Sequence, residues 1–176
     1  MHTPEYVILV NDDDHEIGTA EKLAAHRDGA LHRAFSIVIW DRNGRMLLQQ
    51  RAAGKYHSAN LWTNTCCGHP RPDEDVVDAA ARRLFEEMGF RCGLAPLGTI
   101  RYHAAFENGL IEHEIVHVFR GLYEGRVTPD PEEAADFSWR TLDDVRQDVE
   151  AAPENYSVWF RKYVAAEWPT AMVPPV

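Results

Sequence analysis

Apolar positions along this chain repeat with two periods. Tyr6 to Val10 is a short apolar run stopped by Asn11-Asp12-Asp13-Asp14, which predicts a strand followed by a solvated turn. Residues 31 to 40 form a stronger run ending at Trp40. Asp41-Arg42-Asn43-Gly44 then carries an Asn-Gly hairpin signal, and Met46 to Gln50 return as the next strand. Thr99 to Phe106 and Ile111 to Phe119 flank Glu107-Asn108-Gly109 as a second hairpin, and Phe137-Ser138-Trp139 reads as one more strand. The helical period is clearest from Val76 to Met88, where Val76, Val77, Ala80, Leu84, Phe85 and Met88 fall on one side. Asp73 and Asp75 suit the start of that helix and Gly89 its stop. Thr19 to His26 predicts a short helix or an irregular arm. Leu142 to Val149 and Tyr156 to Trp168 predict helices, and the Pro-rich residues from Pro169 a tail.

Strands and helices therefore alternate, and the expected class is α/β of the α+β type. No repeat, low-complexity segment or interdomain linker interrupts them, so residues 1–176 are expected to form one domain. Within it, 1–30 supply an N-terminal strand and arm, 31–150 the core, and 151–176 a C-terminal helix and tail.

Composition narrows the partners. A chain of 176 residues is long enough to bury a real core, and 45% apolar with 26% charged residues is ordinary for a globular protein. A net charge of −10 argues against nucleic acid, whose phosphates call for many Lys and Arg. It leaves room for a small diphosphate, which needs only a few local cations. No run of about 18 apolar residues predicts a membrane span. Met1 to Glu5 lacks the basic and apolar regions of a secretion signal. Three cysteines, two of them adjacent, build no disulfide framework, so a reducing cytoplasm is the expected compartment.

Candidate chemistry begins at Thr63-Asn64-Thr65-Cys66-Cys67-Gly68-His69-Pro70. In extended backbone, Cys67 and His69 project to one face, where a thiol and an imidazole share a wall or are simply buried. Along the second hairpin, Glu112 and Glu114 also share a face, about 6.5–7 Å apart. That pair is either an exposed acidic face or a pair of ligands. On the helix, Arg82 with Glu86 and Arg83 with Glu87 are i,i+4 pairs, the mark of a salt-bridged surface unless the acids meet a metal.

Gly68, Glu74, Arg82, Leu84, Glu86, Glu87, Gly89 and Phe90 fit a 23-residue pattern that resembles the Nudix signature, with Arg83 standing where that signature has glutamate. Further marks are Glu21 to His26, Leu31-His32, Trp62-Thr63-Asn64, Cys67 to Pro70, Arg101-Tyr102 and Glu112-His113-Glu114. With these the chain resembles the flavin-independent isopentenyl-diphosphate isomerases from about Val7 to Phe160.

The resemblance implies a Nudix-like mixed β-sheet sandwiched by helices. It also implies one Mn²⁺ or Zn²⁺ held by His26, His32, His69, Glu112 and Glu114, a donor set less suited to Mg²⁺. Glu87, with the Cys67 carbonyl, is expected to hold a Mg²⁺ on the substrate diphosphate. Lys22, Arg51, Lys55 and Arg83 are expected to contact its phosphates. Cys67 and Glu114 resemble the acid–base pair, in an order the sequence leaves open. Tyr102 is expected to hydrogen-bond Glu114, and Trp159 to face a carbocation or to serve as a core aromatic. The expected reaction converts isopentenyl to dimethylallyl diphosphate, by a monomer or weak homodimer. The alternative is a Nudix hydrolase of a nucleoside diphosphate derivative.

Overall fold

The structure is a computed structural model that describes residues 5–167, without the side chains of residues 166 and 167. The chain runs β1 (Tyr6–Val10), β2 (Glu16–Glu21), α1 (Lys22–Asp28), β3 (His32–Trp40), β4 (Arg45–Arg51), β5 (Trp62–Thr63) and β6 (Cys66–Gly68). It continues through α2 (Val76–Met88), β7 (Leu94–Ala105), β8 (Ile111–Leu122), β9 (Ala134–Thr141), α3 (Leu142–Ala151) and α4 (Val158–Lys162). A 3₁₀ turn, Pro153–Asn155, precedes α4, and a π-helical turn, Tyr163–Glu167, extends it.

The strand β3 is the hub. One edge pairs in parallel with β8 from His32↔Glu114 to Trp40↔Leu122. The other edge meets β1 at His32, β6 from Phe35 to Ile37 and β4 at Trp40, all antiparallel. β7 extends the sheet beyond β8, and β9 pairs along β4. The sheet is therefore mixed and, with helices on both faces, of the α+β class.

Alternation along β3 divides the core. Phe35, Ile37 and Ile39 pack with Leu84 and Met88 of α2 on one face. Ala34, Val38 and Trp40 pack with Val116, Val118, Trp159, Phe160 and Tyr163 on the face covered by α4. The adjacent cysteines split the same way: Cys66 lies in the α2 cluster and Cys67 against the α4 cluster.

At Gly68 and Gly89 close approach calls for glycine. A Cβ on Gly68 would come within 2.8 Å of the Phe35 ring, and one on Gly89 within 2.3 Å of the Thr128 carbonyl. Gly89 also has φ +77° and caps α2, as its sequence position predicts.

Two expectations need correction. The segment read as a helix or arm at Thr19 to His26 is the end of β2 followed by α1, whose N-cap carboxylate, Glu21, accepts from Leu23 and Ala24. The C-terminal helix begins at Val158, capped by Ser157, because the 3₁₀ turn occupies the preceding residues. Trp168 and the tail from Pro169 lie outside the described residues.

Candidate active site

Three histidines and a glutamate converge where β3, β6, β8 and α1 meet. His32 opens β3 directly opposite Glu114 of β8. His69 follows β6, and His26 lies in the last turn of α1. One ligand atom from each of His26, His32, His69 and Glu114 lies within 4.8 Å of all the others. Glu114 Oε1 is 3.0 Å from His69 Nε2 and 3.4 Å from His32 Nε2.

The backbone fixes two of the tautomers. His26 Nδ1 is 2.7 Å from the Lys22 carbonyl and His32 Nδ1 is 2.8 Å from the Ala30 carbonyl. A carbonyl only accepts, so each Nδ1 carries the proton and each Nε2 is turned inward as a donor atom. His26 Nε2 is buried without a hydrogen-bond partner among the described residues. An orphaned imidazole nitrogen beside two others and a carboxylate is a fit for one divalent cation.

Charge states follow from surroundings. Burial holds His26 down to about 4 and His69 down to about 3. Burial would raise Glu114, but hydrogen bonds from His32 and His69 prevail and hold it well below the usual carboxylate range. His32 is raised: burial opposes its charge, and the bond to Glu114 outweighs burial.

Glu112 departs from the expected five-ligand set. It stands on the same face of β8 as Glu114 but outside the cluster, because its Oε1 is 3.1 Å from His57 Nε2. Its Oε2 is buried without a partner among the described residues. Burial, and then the charge of Glu114, raise its pKa.

Tyr102 faces Glu114 across the β7–β8 pair, yet its buried hydroxyl makes no hydrogen bond to that carboxylate. Burial, with the charges of Glu112 and Glu114, keeps the phenol protonated.

Cys67 sits on the same side. Its Sγ is 3.3 Å from Ser36 Oγ and 3.3 Å from Asn64 Nδ2. Burial pushes the thiol up to about 12, against the opposing effect of its hydrogen bonding with those two residues. Trp159 is 6% exposed and donates Nε1 to Asn64 Oδ1 at 3.1 Å. Its ring is a wall beside the thiol and also part of the core.

The expected phosphate contacts are distributed around α1, β4, the following loop and α2. Lys22 pairs with Glu5 at 2.7 Å. Arg51 lies 5.3 Å from the Trp159 ring centroid and donates to the His57 carbonyl. Lys55 pairs with Glu133, which also lies 3.1 Å from Arg83. Arg83 further contacts Glu86 and Glu87. Buried Glu87 accepts from Gln49 Nε2 at 2.9 Å. Glu74, a matching position of the 23-residue pattern, forms a two-point pair with Arg82.

His57 and Glu133 were not singled out from the sequence. A histidine two residues beyond Lys55 and an acid before the last strand carry no motif, and only the fold brings them to this site. A groove of about 450 Å³ lined by Phe137, Arg140, Asp148 and Tyr156 shares none of the candidate site residues.

Residues 30–162 match the NUDIX domain family. An isopentenyl-diphosphate Delta-isomerase of Burkholderia multivorans is 53% identical over 156 residues, 89% of this chain and 89% of that protein. The isopentenyl-diphosphate Delta-isomerase 2 of Aromatoleum aromaticum is 52% identical, covering 88% of this chain and 82% of its own. The chain belongs to the Nudix family, among its isopentenyl-diphosphate Delta-isomerases. The isomerase of Streptomyces coelicolor is 47% identical over 92% of this chain and 82% of its own. Among solved structures, one from Deinococcus radiodurans overlays at TM-score 0.78 with 18% identity, covering 93% of this chain and 99% of that one. The MutT protein of Methanosarcina mazei overlays at 0.63 with 21% identity, covering 77% and 91%. These two likenesses concern the fold alone.

Proposed function

We propose that this chain converts isopentenyl diphosphate to dimethylallyl diphosphate by protonation at one carbon and deprotonation at another. The observation that carries the reading is Cys67, two residues before His69 of a buried His/Glu cluster, in a chain 53% identical to an isopentenyl-diphosphate Delta-isomerase. Isomerisation adds a proton at the terminal methylene and removes one from the carbon beyond the double bond, so composition is unchanged. It needs one group that gives a proton and one that takes it. Cys67 and Glu114 are those groups in this reading. A thiol raised to about 12 rests protonated, which favours Cys67 as the donor. A carboxylate held below its usual range rests ionised, which favours Glu114 as the acceptor.

The other residues take supporting roles. Tyr102, buried, protonated and opposite Glu114 across β7 and β8, is available to hydrogen-bond a carboxylate once substrate is bound. Trp159 offers a ring face for the cationic carbon, a contact of roughly 2 kcal/mol when desolvated. The same burial keeps water from the cation. Lys22, Arg51, Lys55 and Arg83 bind the diphosphate, exchanging Glu5 and Glu133 for phosphate oxygens.

His26, His32, His69 and Glu114 would hold one Mn²⁺ or Zn²⁺, with Glu112 as the outer candidate. Glu87 and the Cys67 carbonyl would hold Mg²⁺ with the diphosphate. These cations supply positive charge that orients carboxylate and phosphates. The enzyme works in the cytoplasm, as a monomer or weak homodimer, without nucleic acid or membrane. Among the described residues, no helix is long and apolar enough to cross a membrane.

The test is substrate in D₂O with Mg²⁺, followed by proton and phosphorus NMR. Deuterium in a methyl group of dimethylallyl diphosphate, with the diphosphate intact, is the expected result. Phosphate release without carbon-bound deuterium would instead establish a hydrolase, a reading that leaves Cys67 and the cluster without a role.

A further inference from the structure

The sulfur of Cys67 belongs to a closed ring of hydrogen bonds. Ser36 and Cys67 are partners in the β3–β6 pairing, so Oγ and Sγ lie on one face. Asn64 Nδ2 donates to Ser36 Oγ at 2.9 Å and faces the carbonyls of Ile37 and Cys66 at 2.9 and 3.2 Å. Two carbonyl oxygens in front of it identify it as the nitrogen end of the amide. Cys67 Sγ donates to Asn64 Oδ1 at 3.5 Å. The Tyr163 hydroxyl donates to Ser36 Oγ at 2.6 Å. With both lone pairs of Ser36 Oγ engaged by Asn64 and Tyr163, its own proton is directed at Cys67 Sγ.

We propose that Ser36, itself held by Tyr163, is a positioning residue that fixes the direction of the Cys67 sulfur. The proposal rests on the reading of Cys67 as a group that exchanges a proton with substrate. Burial makes the arrangement rigid: Ser36 and Asn64 are 0% exposed and Tyr163 2%, so bulk water does not compete. Two of the residues that touch the sulfur are tied to the C-terminal helical segment. Tyr163 reaches Ser36, and Trp159, four residues earlier, reaches Asn64 Oδ1. Docking of that segment and aiming of the thiol are thus one structural event. A buried polar network that served stability alone would have no need to converge on one reactive sulfur.

The test compares Ser36→Ala, Ser36→Thr and Tyr163→Phe with the wild type. Ser36→Ala is expected to lower kcat by about tenfold to a hundredfold, with KM within about twofold and metal content unchanged. The infrared S–H stretching band of Cys67, assigned by difference against Cys67→Ala, should shift in Ser36→Ala without any substrate. Tyr163→Phe should move both readouts in the same direction by less. Ser36→Thr, which keeps the hydroxyl, should restore the band and most of the turnover. An unmoved band in both Ser36→Ala and Tyr163→Phe would overturn the proposal, as would wild-type kcat in Ser36→Ala. If Ser36→Ala does not fold, Tyr163→Phe decides alone by the same two readouts. The band is read without turnover, so a wild type that failed to isomerise would sink the functional reading while the aiming of the sulfur was still decided.

Discussion

At the scale of single residues, the two neighbouring cysteines separate chemistry from packing. Cys67 contacts Ser36 and Asn64, whereas Cys66 is fully buried among Ile37, Leu84 and Met88. Cys67→Ala is expected to cut turnover by at least about 10²–10⁴-fold while leaving the melting temperature near that of the wild type. Cys66→Ala should do the reverse, with turnover per folded molecule retained and stability reduced by roughly 1 kcal/mol for the lost core volume. Steady-state rates beside urea unfolding check both, and equal losses of rate in the two variants would contradict the assignment. The sequence made Cys67 visible because it stands in a motif with Gly68 and His69. It left Ser36, Asn64 and His57 without roles, since a serine in an apolar strand becomes a sulfur partner only through the β3–β6 register.

At the scale of elements, the strongly periodic pieces were legible and the weakly periodic ones were not. α2 was readable at both ends because Asp75 caps it and Gly89 stops it. β2 was missed because Glu16-Ile17-Gly18-Thr19-Ala20-Glu21 has no buried residue, contains a glycine and two acids, and owes its strand form to pairing with β1. The Gly89 stop carries a prediction. Ala at φ +77° costs about 1–2 kcal/mol from handedness alone, and its Cβ would meet the Thr128 carbonyl, which is backbone. Gly89→Ala should therefore lower the urea midpoint clearly, and because α2 carries Arg83 and Glu87 it should raise KM as well. A midpoint unchanged from wild type would show that the loop at Thr128 yields more easily than its backbone bonds to Met88 and Glu87 suggest.

At the scale of the whole molecule, the sequence implied a single site, and the fold explains how four separate elements, α1, β3, β6 and β8, bring the His/Glu cluster together. It also supplies a dependence on acid. An ordinary histidine titrates near 6.5, but burial holds His26 at about 4 and His69 at about 3 in the folded chain. The unfolded chain therefore takes up protons that the native state refuses. Stability from these two groups is fully present above pH 6.5 and is lost as pH falls toward their folded values. Glu114, depressed below the usual carboxylate range, acts with the same sign in a lower window. His32 is raised and acts with the opposite sign, favouring the fold below 6.5 and losing that contribution as pH rises through its folded value. Glu112, raised by burial and by the charge of Glu114, acts with the sign of His32, but the large depressions of His26 and His69 outweigh both, so the metal-free protein should become less stable between pH 6.5 and about 4. The same protons compete with a cation for the Nε2 atoms, so acid should also expel a bound metal. Protein purified at neutral pH is expected to carry about one Mn²⁺ or Zn²⁺ per chain, to melt at lower temperature after chelation, and to lose the metal across that same acid range. Elemental analysis after desalting at stepped pH, with melting curves of loaded and chelated protein at each step, measures both effects together. A metal retained in full at pH 4, or a chelated protein equally stable at pH 4 and pH 7, would contradict this account of the cluster.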